Sequence, residues 1–282
     1  MWLSDRWHDY ALLDAGDGMK LERWGEFVLA RPEPQAVWPV QRPALWANAH
    51  ATYHRSSTGG GAWSYTQTLP ESWQVRYGED LRFIVRPTGF KHTGLFPEQA
   101  VNWDWMRARI AAAGRPVQVL NLFAYTGGAT LACAAAGASV VHVDAAKGIV
   151  TWAHDNAAQS GLSHAPIRYL VDDALKFVQR EARRGHTYDG IVMDPPSYGR
   201  GPDGQMFKFE KDVYRLIEAC THILAQDALF FVLNSYTAGF APDVAGNMLL
   251  CALGGHVTAD NIGLPMQNGM VLPCGATARW TP

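Results

Sequence analysis

The chain has 282 residues and a mass of 31.0 kDa, with 48% hydrophobic and 18% charged residues, the balance of an ordinary globular protein. Its formal net charge of −2 excludes a global basic field that would by itself indicate a nucleic-acid partner. No apolar run reaches the about 20 residues of a membrane span, and the N-terminal stretch lacks a signal-peptide core. The four cysteines lack CxxC or metal-ligand spacing, so we expect no disulfide framework, no metal site and a cytoplasmic location.

Residues 1–90 predict a small β-rich domain. Short runs rich in Trp, Tyr, Val and Phe are broken by Gly and Pro, and several alternate apolar and polar residues, as half-exposed antiparallel strands do. Two of these runs are QAVWPV (35–40) and WQVRYGEDLRFIVRPTG (73–89). The loop STGGGA (57–62) is expected to be the most flexible, and it lacks the Lys-Ser/Thr pair of a phosphate-binding loop.

From residue 116 onward, continuous apolar strands alternate with helices, and we take residues 91–282 as a second domain. Strands are expected at 117–123, 139–144, 167–171, 189–193 and 228–234, and helices at 127–138, 146–160, 173–185 and 209–225. Strands that are apolar throughout predict a parallel sheet covered by helices on both faces. In such a sheet, ligands bind beyond the carboxyl ends of the strands.

The first of these strands ends in NLFAYTGG (121–128), whose residue types suit a ligand site. Paired glycines at a strand-to-helix turn allow a ligand to approach the backbone closely. From this segment we predict the cofactor-binding residues Asn121, Phe123, Tyr125, Thr126, Gly127 and Gly128.

Carboxylates follow the second and third strands. Asp144, followed by Ala145, lies 17 residues after Gly127, near the spacing of about 20 at which an acid binds ribose hydroxyls in nucleotide-binding α/β folds. Asp172 and Asp173 end the third strand, where a carboxylate can accept a hydrogen bond from an adenine amino group. Each acid taken alone is equally compatible with helix capping. The ordered set predicts a ligand that contains adenosine.

That ligand is predicted to be S-adenosylmethionine. A dinucleotide would require G-x-G-x-x-G, so that its pyrophosphate could lie at a helix N-terminus. The chain has YTGGAT (125–130) instead. A ligand with adenosine but no pyrophosphate therefore fits better.

The fourth strand ends in DPPSY (194–198), in which Asp194 and Pro195 both precede a proline. Proline fixes its own φ and pushes the preceding residue into extended conformations. The turn is therefore expected to be stiff, with its backbone carbonyls available as acceptors. The structural alternative is a loop in which Asp194 caps the next turn and Tyr198 fills a gap.

Together these motifs resemble those of the class I S-adenosylmethionine-dependent methyltransferases. The resemblance is nearest to the branch of large-subunit ribosomal RNA methyltransferases with NLFxYTGG and DPPxF/Y motifs, and it covers residues 85–240 well. It implies a seven-stranded, Rossmann-like sheet plus the small N-terminal β-rich domain. GHVTADNI (255–262) and VLPCGATARW (271–280) are expected to form an antiparallel edge hairpin of that sheet.

The resemblance also implies a catalytic site. In families with [D/N]PP followed by an aromatic residue, the acid and a proline carbonyl accept hydrogen bonds from the exocyclic amine of a base. The aromatic ring then stacks on that base. Carried over to this chain, the catalytic residues are Asp194, Pro195, Pro196 and Tyr198.

An upstream segment and an RNA substrate are implied on the same ground. FKHTGLFPEQ (90–99) resembles the segment that approaches the cofactor in that branch, which implies contacts from Phe96, Glu98 and Gln99. Such enzymes often carry an additional N-terminal RNA-binding module, for which only the small β-rich domain has room here.

Carbon-5 cytosine methyltransferases belong to the same branch and need a cysteine thiolate as nucleophile. In those relatives the cysteine follows the fifth strand, where this chain reads NSYT (234–237). Cys133, Cys220 and Cys251 fall in predicted helices, where buried packing is expected, and Cys274 is the only predicted loop cysteine. The sequence therefore favours nitrogen over carbon as the methyl acceptor.

Basic residues signal RNA only weakly. Lys176, Arg180, Arg183 and Arg184 recur on one predicted helix, and Arg200, Lys208 and Lys211 flank the DPPSY loop. Such clusters are usually solvated faces. Residues 199–209 predict a mobile flap. A protein or small-molecule N-methyltransferase and a non-catalytic module that binds S-adenosylmethionine or RNA stay open, as does the oligomeric state.

Overall fold

The computed structural model describes residues 1–56, 60–202 and 204–282. Residues 57–59 of the predicted flexible loop and residue 203 of the predicted flap lie outside the described residues. The chain forms two compact units. The sheet unit comprises Met1–Trp2, Gln99–Ile262 and Gly275–Pro282, and the β unit comprises Leu3–Glu98 and Gly263–Cys274. The division into domains 1–90 and 91–282 stays a prediction.

The first 90 residues are rich in strands, as predicted. In chain order they contain β1 (Trp2–Leu3), β2 (Tyr10–Gly16), β3 (Met19–Trp24), β4 (Phe27–Pro32), α1 (Pro43–Trp46), β5 (Ala51–Arg55), β6 (Gly61–Tyr65), β7 (Trp73–Tyr77) and β8 (Leu81–Val85). Strands β2 to β6 form one sheet in that order, and β7 and β8 form a hairpin. In β8 the alternate residues Leu81, Phe83 and Val85 are buried, which is the period of a strand with one solvated face.

One predicted run in this region is not a strand. Residues 35–40 (QAVWPV) contain no strand, and Val37 is 85% exposed. Pro39 cannot donate to a ladder, and its ring restricts the residue before it. Apolar content alone was misleading at this position.

The remaining elements are one helix that was not predicted, α2, followed by strands and helices that alternate as predicted from residue 116. They are α2 (Ala100–Ala112), β9 (Gln118–Leu122), α3 (Gly128–Ala135), β10 (Ser139–Asp144), α4 (Lys147–Gln159), β11 (Ile167–Val171), α5 (Ala174–Arg184), β12 (Gly190–Met193), β13 (Tyr198–Arg200), β14 (Met206–Lys208), α6 (Phe209–Thr221), β15 (Phe230–Ser235), α7 (Pro242–Leu253), β16 (His256–Pro265) and β17 (Val271–Thr281). No helix among the described residues is long and apolar enough to cross a membrane.

The main sheet has the order β1-β16-β17-β15-β12-β9-β10-β11. Strands β9, β10, β11, β12 and β15 are parallel to their neighbours among themselves, and β17 pairs antiparallel with β15. The predicted class I fold with its edge hairpin is therefore confirmed. The predicted number of seven strands was wrong by one, because the two extended residues of β1 add to the open edge of β16.

The register of the parallel strands brings their carboxyl ends to one edge. Leu122 of β9 lies opposite both Val143 of β10 and Met193 of β12. Met193 in turn lies opposite Leu233 of β15. The residues that follow these four strands therefore emerge side by side, which is where an open α/β sheet binds its ligand.

A buried ion pair stabilises the β unit. Glu22 accepts two hydrogen bonds from Arg31, at 2.7 Å from Nε and 2.9 Å from Nη2, and one from Tyr10 at 2.8 Å. Burial alone would raise the pKa of the Glu22 carboxyl. The charges of Arg31 and Lys20, with these hydrogen bonds, outweigh burial and lower the pKa to about 2.

We predict that Glu22→Ala lowers the free energy of unfolding by about 3–5 kcal/mol, because Arg31 is left buried without its counter-charge. Glu26→Ala, at an exposed site between β3 and β4, is the control and should change it little. Chemical denaturation measures both. The pKa of Glu22 lies below its ordinary 4.5, so its stabilisation is complete above that pH and is lost as the pH falls towards 2. A Glu22→Ala defect that does not shrink over this range would contradict the assignment.

Candidate functional site

The loop after β9 has an unusual backbone. Phe123, Tyr125 and Gly127 have φ values of 54°, 50° and 88°, which lie in the left-handed region. Non-glycine residues adopt this region at a cost of about 1–3 kcal/mol and do so mostly at functional sites. Hydrogen bonds from Ala124 N–H to the Val143 carbonyl and from Gly127 N–H to the Ala124 carbonyl, both 3.0 Å, hold the loop in place.

Asp144 fixes the same loop from the end of β10. Its Oδ2 accepts the Tyr125 N–H at 2.9 Å and its Oδ1 accepts the Ala146 N–H at 3.0 Å. Burial raises the pKa of the Asp144 carboxyl, and the N–H groups of Ala146, Tyr125 and Ala145 partly oppose the shift. Two carboxylate oxygens offer about four acceptor positions, so this half-buried group is suited to accept ribose hydroxyls as well.

Two of the predicted cofactor residues make buried hydrogen bonds that stabilise the loop after β9, and their contact with the cofactor stays a prediction. Asn121 is buried and donates from Nδ2 to Thr130 Oγ1 at 2.9 Å. Thr126 is buried too, and its carbonyl accepts from Nδ2 of Asn156 at 2.9 Å. Asn156, on α4, did not stand out in the sequence. The side chains of Asn121 and Asn156 therefore help to fix the loop after β9 from within the protein.

Close packing gives a second reason for the paired glycines, beside the predicted approach of a ligand. A Cβ at Gly128 would lie 2.4 Å from Cζ2 of Trp103 on α2, so this glycine lets a tryptophan ring pack against the helix start. A Cβ at Gly127 would lie 3.1 Å from side-chain atoms of Ala153 and Leu131. Close packing inside the protein, and not only ligand approach, therefore requires glycine here.

The two acids after β11 have different surroundings. Asp172 forms an ion pair with Arg180. Asp173 caps α5, because its Oδ1 accepts the Lys176 N–H at 2.9 Å. Its Oδ2 takes no part in that bond and lies 3.0 Å from the position of a Cβ at Gly201. Of the two carboxylates, Asp173 is better suited to receive an adenine amine.

DPPSY is anchored on both sides. The N–H of Asp194 donates to the Leu122 carbonyl at 3.4 Å, so the turn begins beside the cofactor loop. The Ser197 hydroxyl lies 2.9 Å from Thr237 Oγ1, in the segment after β15. Asp194 is half-buried and Pro195 buried, whereas Tyr198 is 55% exposed. The structure thus presents an acid, a stiff turn and an exposed aromatic ring in succession.

The predicted flap is a two-stranded hairpin, β13 and β14, in which Tyr198 pairs with Lys208 and Arg200 with Met206. Its Phe207 ring lies 5.2 Å from the ring of Phe123. Together with the approach of Gly201 to Asp173, this contact places the hairpin over the ends of β9 and β11. The mobility of the flap stays a prediction.

The upstream residues divide between the two units. Phe96 belongs to the β unit, where its ring lies 5.3 Å from that of His92. Gln99 belongs to the sheet unit, and its Nε2 donates to the Tyr236 hydroxyl at 2.8 Å. Its Oε1 accepts from Asn102 Nδ2 at 3.0 Å. Gln99 therefore holds Tyr236 in place. In the sequence, Tyr236 was notable only as part of NSYT (234–237), the segment that lacks the cysteine of carbon-5 methyltransferases. No group of three or more His, Cys, Asp or Glu side chains in the described part of the chain is placed to hold a metal ion.

The strand order, with acids at the ends of β10, β11 and β12, is that of the class I methyltransferases. A family profile described as S-adenosylmethionine-dependent methyltransferase matches residues 45–245. The chain belongs to this family, and S-adenosylmethionine, the predicted cofactor, is confirmed. The left-handed loop and the acceptor capacity of Asp144 fit that ligand.

Curated relatives agree with the resemblance to ribosomal RNA methyltransferases. "Ribosomal RNA large subunit methyltransferase K/L" of Acinetobacter baumannii is 28% identical over 249 residues, 85% of this chain and 32% of the relative. "Ribosomal RNA large subunit methyltransferase K" of Neisseria meningitidis is 26% identical over 231 residues, 78% of this chain and 64% of the relative. The chain thus spans about a third of the length of the K/L relative.

Solved structures share the fold over the whole chain. A SAM-dependent methyltransferase from Agrobacterium tumefaciens is 38% identical with a TM-score of 0.95, covering 100% of this chain and 93% of that one. SMU.776, determined in complex with SAH, has a TM-score of 0.74 at 20% identity, covering 98% of this chain and 76% of that one. At that identity the second likeness shows the fold alone.

We predict that Asp144→Ala weakens S-adenosylmethionine binding by about 1–3 kcal/mol, because the ribose hydroxyls lose a charged acceptor. Isothermal calorimetry measures the change, and Asp155→Ala, at an exposed position on α4, should bind as the parent does. Asp144→Asn keeps the shape of the group and separates loss of charge from collapse of the loop. Unchanged affinity in folded Asp144→Ala would remove this residue from the site.

Proposed function

We propose that this protein transfers the methyl group of S-adenosylmethionine to an exocyclic amine of a base in RNA. The cofactor supplies an electrophilic methyl group bound to a sulfonium. The names of the relatives from Acinetobacter baumannii and Neisseria meningitidis support a ribosomal RNA substrate, since both are called ribosomal RNA large subunit methyltransferases. We also propose that residues 91–282 form the methyltransferase domain and that the β-rich residues 1–90 serve the substrate.

One observation carries this proposal: the anchored DPPSY turn at the carboxyl end of β12. Asp194 and the Pro195 carbonyl are acceptors, and an amine with two N–H groups can donate to both. Donation to both would aim the nitrogen lone pair towards the methyl group. Because the methyl donor is already activated, correct positioning supplies most of the rate, and a strong base is not needed.

The surroundings of Tyr198 favour a nucleic acid over a small molecule. The ring is exposed on the hairpin, where stacking on a base contributes about 1–3 kcal/mol. Arg200, Lys208 and Lys211 are exposed nearby and can meet phosphates. The basic residues on α5 are weaker evidence for a nucleic acid, because Arg180 pairs with Asp172 and Arg184 pairs with Glu181.

The cysteines argue against carbon-5 chemistry. Burial raises the pKa of the Cys133 thiol to about 12, and it also raises the pKa values of Cys220 and Cys274. A nucleophilic cysteine needs the opposite shift, since only the thiolate attacks. Cys274 is half-buried in β17 and not in the predicted loop, and Cys251, expected to be buried, is exposed on α7.

The direct test is methyl transfer from labelled S-adenosylmethionine into total RNA and total protein extracted from cells that lack the gene. The proposal expects label in RNA, and nucleoside mass spectrometry should find it on a base nitrogen. Label found only in protein or only in a small-molecule fraction would show that the methyl acceptor is not RNA. No transfer by folded protein that binds S-adenosylmethionine would favour a non-catalytic binding module.

We predict that Asp194→Ala slows the chemical step at least about 100-fold, because the amine loses an acceptor that orients it. S-adenosylmethionine affinity should survive. Asp194→Asn keeps one acceptor oxygen and should retain part of the rate, since asparagine occurs at this position in [D/N]PP families. Single-turnover kinetics measures the step. Cys274→Ser is the control with unchanged turnover; if it alone abolishes transfer while the protein stays folded, carbon-5 chemistry returns.

A further inference from the structure

The β unit contains a closed loop at residues 86–93, directly after β8, which we call the 86–93 loop. The Arg86 N–H donates to the Thr93 carbonyl at 3.0 Å and closes it. Inside, the Thr88 hydroxyl accepts the Phe90 N–H at 3.2 Å and lies 2.7 Å from the His92 carbonyl, to which it donates. The loop therefore has its own internal order.

Three side chains of the five-stranded sheet donate hydrogen bonds to backbone carbonyls of this loop. Trp63 Nε1 donates to the Thr88 carbonyl at 2.8 Å, and the Tyr53 hydroxyl donates to the Gly89 carbonyl at 3.3 Å. Arg31, held by its buried ion pair, donates from Nη1 to the Lys91 carbonyl at 2.7 Å. These donors come from β6, β5 and β4, so three strands fix the backbone on both sides of the tip.

The tip of the braced loop is an exposed aromatic ring. Phe90 is 65% exposed although the backbone around it is tied down. An aromatic ring on a fixed backbone loses little conformational freedom when something stacks on it, which improves binding. Bases offer such a face in single-stranded nucleic acids, and stacking on them tolerates any sequence.

Cations lie near the two residues that follow Phe90 in the chain. Arg55 is exposed at the end of β5 and lies within electrostatic reach of Lys91 and His92. Lys20 and Arg31 act on the same two groups, and the carboxylates that act on these cations are those of Glu22, Glu33 and Glu98. Four cations against three carboxylates leave a positive surplus of one charge in a chain of net charge −2. A local field of this sign attracts phosphates.

His92 does not add to that charge. Burial and the charges of Arg31, Lys91, Lys20 and Arg55 lower the pKa of the imidazole to about 4, so it is neutral at physiological pH. The positive surplus therefore comes from lysine and arginine. Burial lowers the pKa of the Lys91 ammonium, and the charge of Glu33 opposes that shift.

We propose that the 86–93 loop binds a single-stranded segment of the RNA substrate, with Phe90 stacked on a base and with Arg55 and Lys91 on the adjoining phosphates. This inference rests on the proposed function and assigns the substrate contact of the β unit. A peptide would also offer aromatic side chains to stack on Phe90, but the neighbouring cations Arg55 and Lys91 favour a polyanion.

The test is fluorescence anisotropy of a short fluorescein-labelled single-stranded RNA with the full chain. Phe90→Ala should weaken binding about 5-fold to 150-fold, since one stacked base is lost, whereas Phe90→Tyr should bind as the parent does. Val37→Ala, at an exposed apolar position of the same unit, is the matched control and should change nothing. Arg55→Gln should reduce the salt dependence of binding by about one phosphate contact.

The possible outcomes distinguish a failure of this inference from a failure of the proposed function. S-adenosylmethionine affinity should be unchanged in every variant. If the parent binds and methylates RNA but Phe90→Ala binds equally well while folded, the loop assignment fails and the proposed function stands. If the parent binds no RNA and methylates protein instead, both fail together.

Discussion

One carboxylate ties the cofactor end of the sheet together. Asp144 leaves β10 and accepts the N–H of Tyr125, a residue that belongs to the loop after β9 and has a left-handed backbone. That bond compensates for part of the local strain and fixes the distance between two neighbouring strand ends. The conformation of the loop after β9 and the position of the Asp144 carboxylate therefore depend on each other.

A second set of contacts fixes the DPPSY turn (194–198). Ser197 meets Thr237 after β15, and Tyr236 is held by Gln99. Behind them, the two N–H groups of the Asn102 amide are shared among oxygens of Gln99, Asn234 and Thr277 at 3.0 to 3.2 Å, and its Oδ1 accepts from the buried Arg279. A satisfied buried network of this kind defines one arrangement of its members. It connects α2, β15 and β17 to the turn that is proposed to hold the substrate amine.

Much of this architecture could be predicted from the sequence because two signals were strong. Continuous apolar strands fix a parallel sheet, and acids at successive strand ends fix its ligand edge. Packing between segments that are far apart along the chain could not be predicted from the sequence. Gly128 is needed for Trp103, Asn121 supports Thr130 from behind, and Asn156 reaches the Thr126 carbonyl. Helix α2 escaped prediction since its residues carry no clear apolar period.

A crystal structure of the complex with S-adenosylhomocysteine would test the central claim most directly. The account predicts the ribose hydroxyls on the Asp144 carboxylate, the adenine amine at Asp173 and the sulfur facing the turn of Asp194 and Pro195. A complex in which the ribose contacts neither strand-end acid, or in which the sulfur faces away from that turn, would contradict it.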